Sequence, residues 1–105
     1  MNKSPSVLRL HRKDNVAVAL RDLQAGEPIE WENSTAIRVL QSVPFAHKVA
    51  LQAIAAGEPI LKYGVKIAFA MRDIGRGEWV HSHNAESYFV AERETRNGDL
   101  RISKS

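Results

Sequence analysis

Three observations predict an all-β domain. Apolar and polar residues alternate over short stretches, Gly, Pro or Asn interrupts the chain every eight to twelve residues or so, and one Gly-Glu turn pattern occurs three times. The pattern reads Ala-[Leu/Met]-x-x-[Leu/Ile]-x-x-Gly-Glu-x-[Ile/Val], at residues 19–29, 50–60 and 70–80. Gly26, Gly57 and Gly77 supply the turn, because glycine takes a positive φ without a Cβ penalty. Pro28 and Pro59 mark a strand start or an edge, since proline cannot donate to a ladder. The third copy carries Trp79 at that position and runs on into Val80-His81-Ser82-His83-Asn84. Offsets of 31 and 20 residues give no solenoid period, so one turn chemistry is used three times in a single small domain.

In chain order, Val7-Leu8-Arg9-Leu10-His11 and Asn15-Val16-Ala17-Val18-Ala19-Leu20 read as two strands of a hairpin turned at residues 12–15. Ile29-Glu30-Trp31 starts another strand after the first Gly-Glu turn, and residues 35–40 follow as the next. Residues 42–46 read as a loop, since the residue before Pro44 is pushed to extended geometry. His47-Lys48-Val49-Ala50-Leu51 leads into the second copy, where a helix could claim only residues 49–56 before Gly57 and Pro59 end it. Residues 60–63 lead to a corner at Gly64, and residues 65–71 alternate best of all. Beyond Tyr88-Phe89-Val90-Ala91 the chain is almost wholly polar, with a two-residue hairpin signal at Asn97-Gly98.

The chain's 105 residues suit one domain with a modest core. No apolar run reaches the roughly 18 residues of a membrane helix, and residues 1–6 lack the apolar stretch of a signal peptide, so a cytoplasmic location is expected. Without cysteine there are no disulfides, thiolate nucleophiles or thiolate metal sites. A formal charge of +3, with cations interspersed among acids, argues against a nucleic-acid stripe and is compatible with an anionic ligand.

His81 and His83, two apart, would project from one face if they lay on a strand, their Cα atoms about 7 Å apart, and could serve a metal ion or an anionic substrate. Two imidazoles do not complete a metal site, so further ligands would come from carboxylates, from His11 or His47, or from another chain. The plainer alternative is a pair of solvent-facing polar residues beside Trp79. Asn84 could contact ligand or shape a turn. His47-Lys48 forms a second cationic pair able to bind carboxylate or phosphate. Gly75-Arg76-Gly77 lacks the third glycine of a phosphate loop, and no serine sits in a nucleophile-elbow context. Asp22 and Asp73 occupy equivalent repeat positions and read as turn-stabilising carboxylates.

Four segments carry a family resemblance: residues 14–20 with their following Ala-Gly-Glu turn, Pro44-x-Ala46-His47-Lys48-x-Ala50-Leu51, Ile54-x-x-Gly57-Glu58-Pro59-Ile60-x-Lys62-Tyr63-Gly64, and Gly77-Glu78-x-Val80-His81-x-His83-Asn84. Together, over about residues 8–84, they resemble the SAF domain of the altronate and galactarate dehydratase family. The resemblance implies a β-clip at residues 1–85, with residues 86–105 as an extension for which hairpin, helix and disorder all remain open. It implies the small subunit of a sugar-acid dehydratase, a carbon–oxygen lyase removing water beside the substrate carboxylate and using a divalent metal of iron or manganese type. A large dehydratase subunit would complete the active site, leaving this chain inert alone and free to form a homo-oligomer when isolated, with no nucleic-acid or membrane partner. His81, His83 and Asn84 match the family's His-x-His-Asn motif and are implied to face that site, with His81 and His83 as candidate metal ligands; His47 and Lys48 match its His-Lys motif and are implied to meet the substrate carboxylate. The small subunit of a sulfolactate sulfo-lyase and a non-catalytic sugar- or anion-binding module compete with this reading. Two departures stand out: Ala46 replaces the family's glycine, and Ala85 with some twenty further residues follows where the family tends to place leucine and finish.

Overall fold

The computed structural model describes residues 5–29 and 37–87. They contain seven strands and no helix: β1 (Val7–Leu8), β2 (Val16–Ala19), β3 (Lys48–Ala50), β4 (Pro59–Lys62), β5 (Val65–Ala70), β6 (Trp79–Val80) and β7 (Ala85–Ser87). All pairings are antiparallel, in one sheet of order β1-β2-β3-β6 and another of order β4-β5-β7. The all-β expectation and the opening hairpin are therefore borne out. Residues 49–56 are not a helix, because Val49 and Ala50 pair with Ala17 and Val16 and the chain then turns towards Gly57. The strand start at residues 30–31, the beginning of the one at residues 35–36, and residues 88–105 of the extension lie outside the described residues; residues 86 and 87 are in β7, paired with β5.

The repeated pattern is a type II-like turn whose chemistry is the same in each copy. Gly26, Gly57 and Gly77 have φ of 91°, 87° and 90°, the left-handed region required at the third turn position. Glu27 N–H donates to Gln24 O, Glu58 N–H to Ala55 O and Glu78 N–H to Gly75 O. Each glutamate then folds back. Glu27, Glu58 and Glu78 accept from the amides of Gln24, Ala55 and Gly75 at 3.0, 2.9 and 2.8 Å. The Gly-Glu pair thus unites a residue that permits the bend with one that closes it.

A fourth copy, which the sequence pattern hides, occupies residues 43–49. His47 N–H donates to Pro44 O at 3.0 Å, and Ala46 takes φ 73° where the other copies have glycine. The expected loop is therefore the same turn, and its geometry survives the loss of glycine. The glutamate position holds His47, and the residue whose amide a glutamate would serve is Pro44, which has no N–H to offer. Nothing in this turn calls for a closing carboxylate.

The four turns associate in pairs. Leu23 and Val43 exchange backbone hydrogen bonds, as do Ile54 and Ile74. Asp22 Oδ1 accepts the Phe45 amide at 2.8 Å, and Asp73 Oδ1 accepts the Ala56 amide at 2.9 Å. The two aspartates do stabilise turns, each bracing its neighbour rather than its own. Each pair anchors one core: Leu23 and Val43 pack with Ile29, Val39 and Val49, and Ile54 and Ile74 with Ile60, Val16 and Val80. Burial of each such side chain contributes about 1.5–3 kcal/mol.

A polar clasp joins the sheets. Tyr63 and Gly64, at φ 59° and 76°, turn the β4–β5 hairpin, and Asp14 accepts both of their amides at 3.0 and 2.8 Å. Next to it, Asn15 donates to Pro59 O at 3.0 Å and accepts from Leu61 N–H at 2.8 Å. Both residues are buried, so removing either side chain strands backbone groups of the hairpin.

The turn glycines differ in what surrounds them. A Cβ on Gly57 would meet open space, whereas one on Gly77 would run into the Arg38 carbonyl. Gly57→Ala should cost only the left-handed penalty of about 1–2 kcal/mol. Gly77→Ala should add about 1–3 kcal/mol of overpacking to it. Urea unfolding of the two variants checks this ordering; equal losses would contradict it.

Candidate functional site

The site forms where two of the four turns depart from the pattern. His47 stands at the glutamate position of the turn at Ala46, and Trp79 at the proline position of the turn at Gly77. The antiparallel pairing of β3 with β6, Lys48 opposite Val80 and Val49 opposite Trp79, brings the two departures together. Trp79 Nε1–H donates to His47 Nδ1 at 3.2 Å, with ring centroids 5.8 Å apart. His81 stacks on the indole at 5.4 Å and 13°, and its ring lies 4.6 Å from that of His47. His83 meets the same indole at 4.9 Å. Trp79 therefore touches all three imidazoles, and its own amide is fixed by Gln41 Oε1 at 2.6 Å.

The His-x-His segment is a tight turn and not a strand, so the expected same-face geometry of a strand does not apply. β6 ends at Val80, and His81 O accepts from the amides of Asn84 and Ala85 at 3.0 and 2.9 Å. Asn84 enforces this. Fully buried, it accepts from His81 N–H at 2.9 Å and donates to Trp79 O at 2.8 Å and Glu78 Oε2 at 3.2 Å. Its amide is spent within the protein, and its role here is to present His81 and His83 rather than to reach outward. Glu78 also pairs with Arg72 at 3.3 Å.

Beside the imidazoles lies an open groove of about 580 Å³, whose lining includes Lys48, Ile67, Met71, His81 and Glu86. Burial, and after it the charge of Lys62, lowers the Lys48 ammonium below the ordinary lysine value. His81 is also lowered below the ordinary imidazole value, first by partial loss of hydration and then by the positive charge of His47, Lys48 and His83. The protein thus favours a neutral His81 beside Lys48. His11 is elsewhere, its ring packed over Gly64.

No group of three or more His, Asp or Glu side chains suited to one metal ion occurs among the described residues. His47 has its Nδ1 engaged by Trp79, which leaves His81 and His83 as the available donors. Two imidazoles do not fit a divalent metal by themselves.

With this geometry, a sequence model of the altronate/galactarate dehydratase SAF domain matches residues 5–88. The chain belongs to that family. It is 40% identical over 82 residues to altronate dehydratase of Bacillus subtilis, and 42% identical over 80 residues to altronate dehydratase of Escherichia coli. These alignments cover 78% and 76% of this chain but only 16% of either dehydratase. The chain thus spans about a sixth of the length of those relatives. It is also 28% identical over 75 residues to the alpha subunit of (2R)-sulfolactate sulfo-lyase of Chromohalobacter salexigens, covering 67% of this chain and 80% of that one. SAF-family membership, expected from the sequence, is thereby established.

The sequence motifs pointed to His47, Lys48, His81 and His83, which this geometry brings together. They passed over Trp79 and Gln41, although Trp79 in place of the repeat's proline was a visible signal.

Because the folded state holds His81 neutral more strongly than the unfolded chain does, its contribution to stability is complete above the ordinary value of 6.5 and is lost as pH falls from there towards the lowered one. In an imidazole NMR titration His81 should show a midpoint below 6.5, and Lys48→Met, which removes one cation, should move it up. An unchanged midpoint in Lys48→Met would remove that charge from the account.

Proposed function

We propose that this SAF domain serves as the small subunit of a sugar-acid dehydratase of altronate or galactarate type, lending its imidazoles to an active site that a larger chain completes. The observation that carries the reading is a groove lined by Lys48 and His81, with the His47 ring 4.6 Å from His81 and His83 against the same indole, in a chain that matches a sixth of the length of its dehydratase relatives. Losing water beside a carboxylate requires a base for the α-proton, positive charge for the enediolate, and an acid for the departing hydroxyl. Lys48, with Lys62 near it, supplies positive charge for the carboxylate. A neutral His81 has a lone pair for a proton and can return one once protonated. A divalent metal in the assembled enzyme would take at most His81 and His83 from this chain and its remaining ligands from the larger one.

The sulfo-lyase alpha subunit favours a second reading, since this chain covers most of that relative's length. There the leaving group would be sulfite, with the same demand for cations around the carboxylate.

Co-purification of the chain with a dehydratase large subunit, followed by assays for keto-acid formation from altronate and galactarate and for sulfite release from sulfolactate, separates the two. In the active pair His81→Ala should lower turnover by roughly 10²–10⁴-fold, the usual worth of a proton-transferring side chain. Unimpaired turnover in His81→Ala would remove the imidazole from the mechanism.

A further inference from the structure

We propose that Trp79 is the positioning residue of this site, and that its indole N–H holds His47 in the single tautomer that presents Nε2–H to an anionic ligand. The assignment of that ligand rests on the sugar-acid reading above; the tautomer does not.

An indole nitrogen can only donate. The Trp79 Nε1–H bond to His47 Nδ1, at 3.2 Å, therefore requires a lone pair on that nitrogen, and the proton of the neutral ring must sit on Nε2. Two roles are closed to His47 as a result. It has no free lone pair with which to ligate a metal, and none with which to take a proton from substrate. What remains is one N–H donor of fixed direction. Such a group donates to a carboxylate or hydroxyl oxygen, and its ring lies 4.6 Å from that of His81, which lines the groove together with Lys48.

The sequence places this contact with unusual economy. Pro44 has no amide for a glutamate to serve, so position 47 is released to an imidazole; the turn at Gly77 gives up its proline, so position 79 can carry an indole. Trp79 itself cannot drift. Gln41 accepts its amide at 2.6 Å and Asn84 donates to its carbonyl at 2.8 Å. With the N–H committed to His47, the ring is left to pack His81 and His83. One side chain thereby sets the protonation pattern of one histidine and the placement of two more.

The test uses the full chain, uniformly 15N-labelled and held well above the ordinary imidazole value so that the histidines are neutral. A nitrogen–nitrogen scalar coupling across the hydrogen bond should connect Trp79 Nε1 with His47 Nδ1, and the His47 ring should be all Nε2–H. Trp79→Phe, which keeps an aromatic face and removes the donor, should let His47 become a mixture of tautomers. Absence of the coupling in the wild-type chain, or a proton on His47 Nδ1, overturns the proposal whether or not any variant folds. In the co-purified pair, His47→Gln retains an N–H donor and should preserve KM within about threefold, while His47→Leu should raise it tenfold or more with a smaller change in kcat. Equal loss of kcat in both variants would overturn the donor role. If the pair proves to have no lyase activity the functional reading fails, and the coupling still decides the tautomer.

Discussion

The fold depends on a bend that one residue permits and another closes. A left-handed residue at the third turn position and a carboxylate at the fourth, folding back onto the first amide, make a unit that needs no helix and little sequence. Three such units and a fourth bend of the same backbone form that lacks the carboxylate, associated in pairs through Leu23 with Val43 and Ile54 with Ile74, substitute for the long strands that a 105-residue β-domain would otherwise need. The strands between them are only two to six residues long, so much of the order resides in the turns. Asp22 and Asp73 carry the argument across the pair, each capping an amide of the opposite bend.

The candidate site arises through departures from that unit. The bends at Gly26 and Gly57 conform in full, and the imidazole cluster is not built on them. The bend at Ala46 loses its carboxylate and the bend at Gly77 loses its proline, and the side chains that replace them, His47 and Trp79, bond to each other. Local rules broken in concert at one place are what a functional site looks like when the rest of a domain is self-consistent. Glu78 illustrates the coupling of the two demands: one carboxylate oxygen closes its own turn, while the other holds Asn84 and Arg72.

Much of this was legible in the residues. The fold class followed from short alternating segments, three of the four bends from Gly-Glu, and the members of the imidazole cluster from the His-Lys and His-x-His-Asn motifs. The fourth bend was hidden because Ala46 and His47 replace both residues that identify the others, and the backbone φ of 73° with the bond from His47 N–H to Pro44 O exposes it. The His-x-His segment looked extended because alternation says nothing about a buried asparagine; Asn84 bends it through bonds to groups three and five residues back. Asp14 and Asn15 read as part of a hairpin turn, yet their partners lie more than forty residues away, at Pro59, Leu61, Tyr63 and Gly64. Sequence spacing has no access to contacts of that separation.

Ala46 shows what the site costs the fold. A non-glycine residue in the left-handed region carries about 1–2 kcal/mol of strain, and here it immediately precedes His47. The strain persists because the bend is constrained from three directions. Ala46 N–H donates to Ala19 O, His47 N–H donates to Pro44 O, and Asp22 holds the amide of Phe45. None of those restraints passes through the His47 side chain. A glutamate at this position would have found no proline amide to close, and an imidazole there is free to answer to Trp79 instead. The turn is secured by its neighbours so that its fourth residue can serve the site.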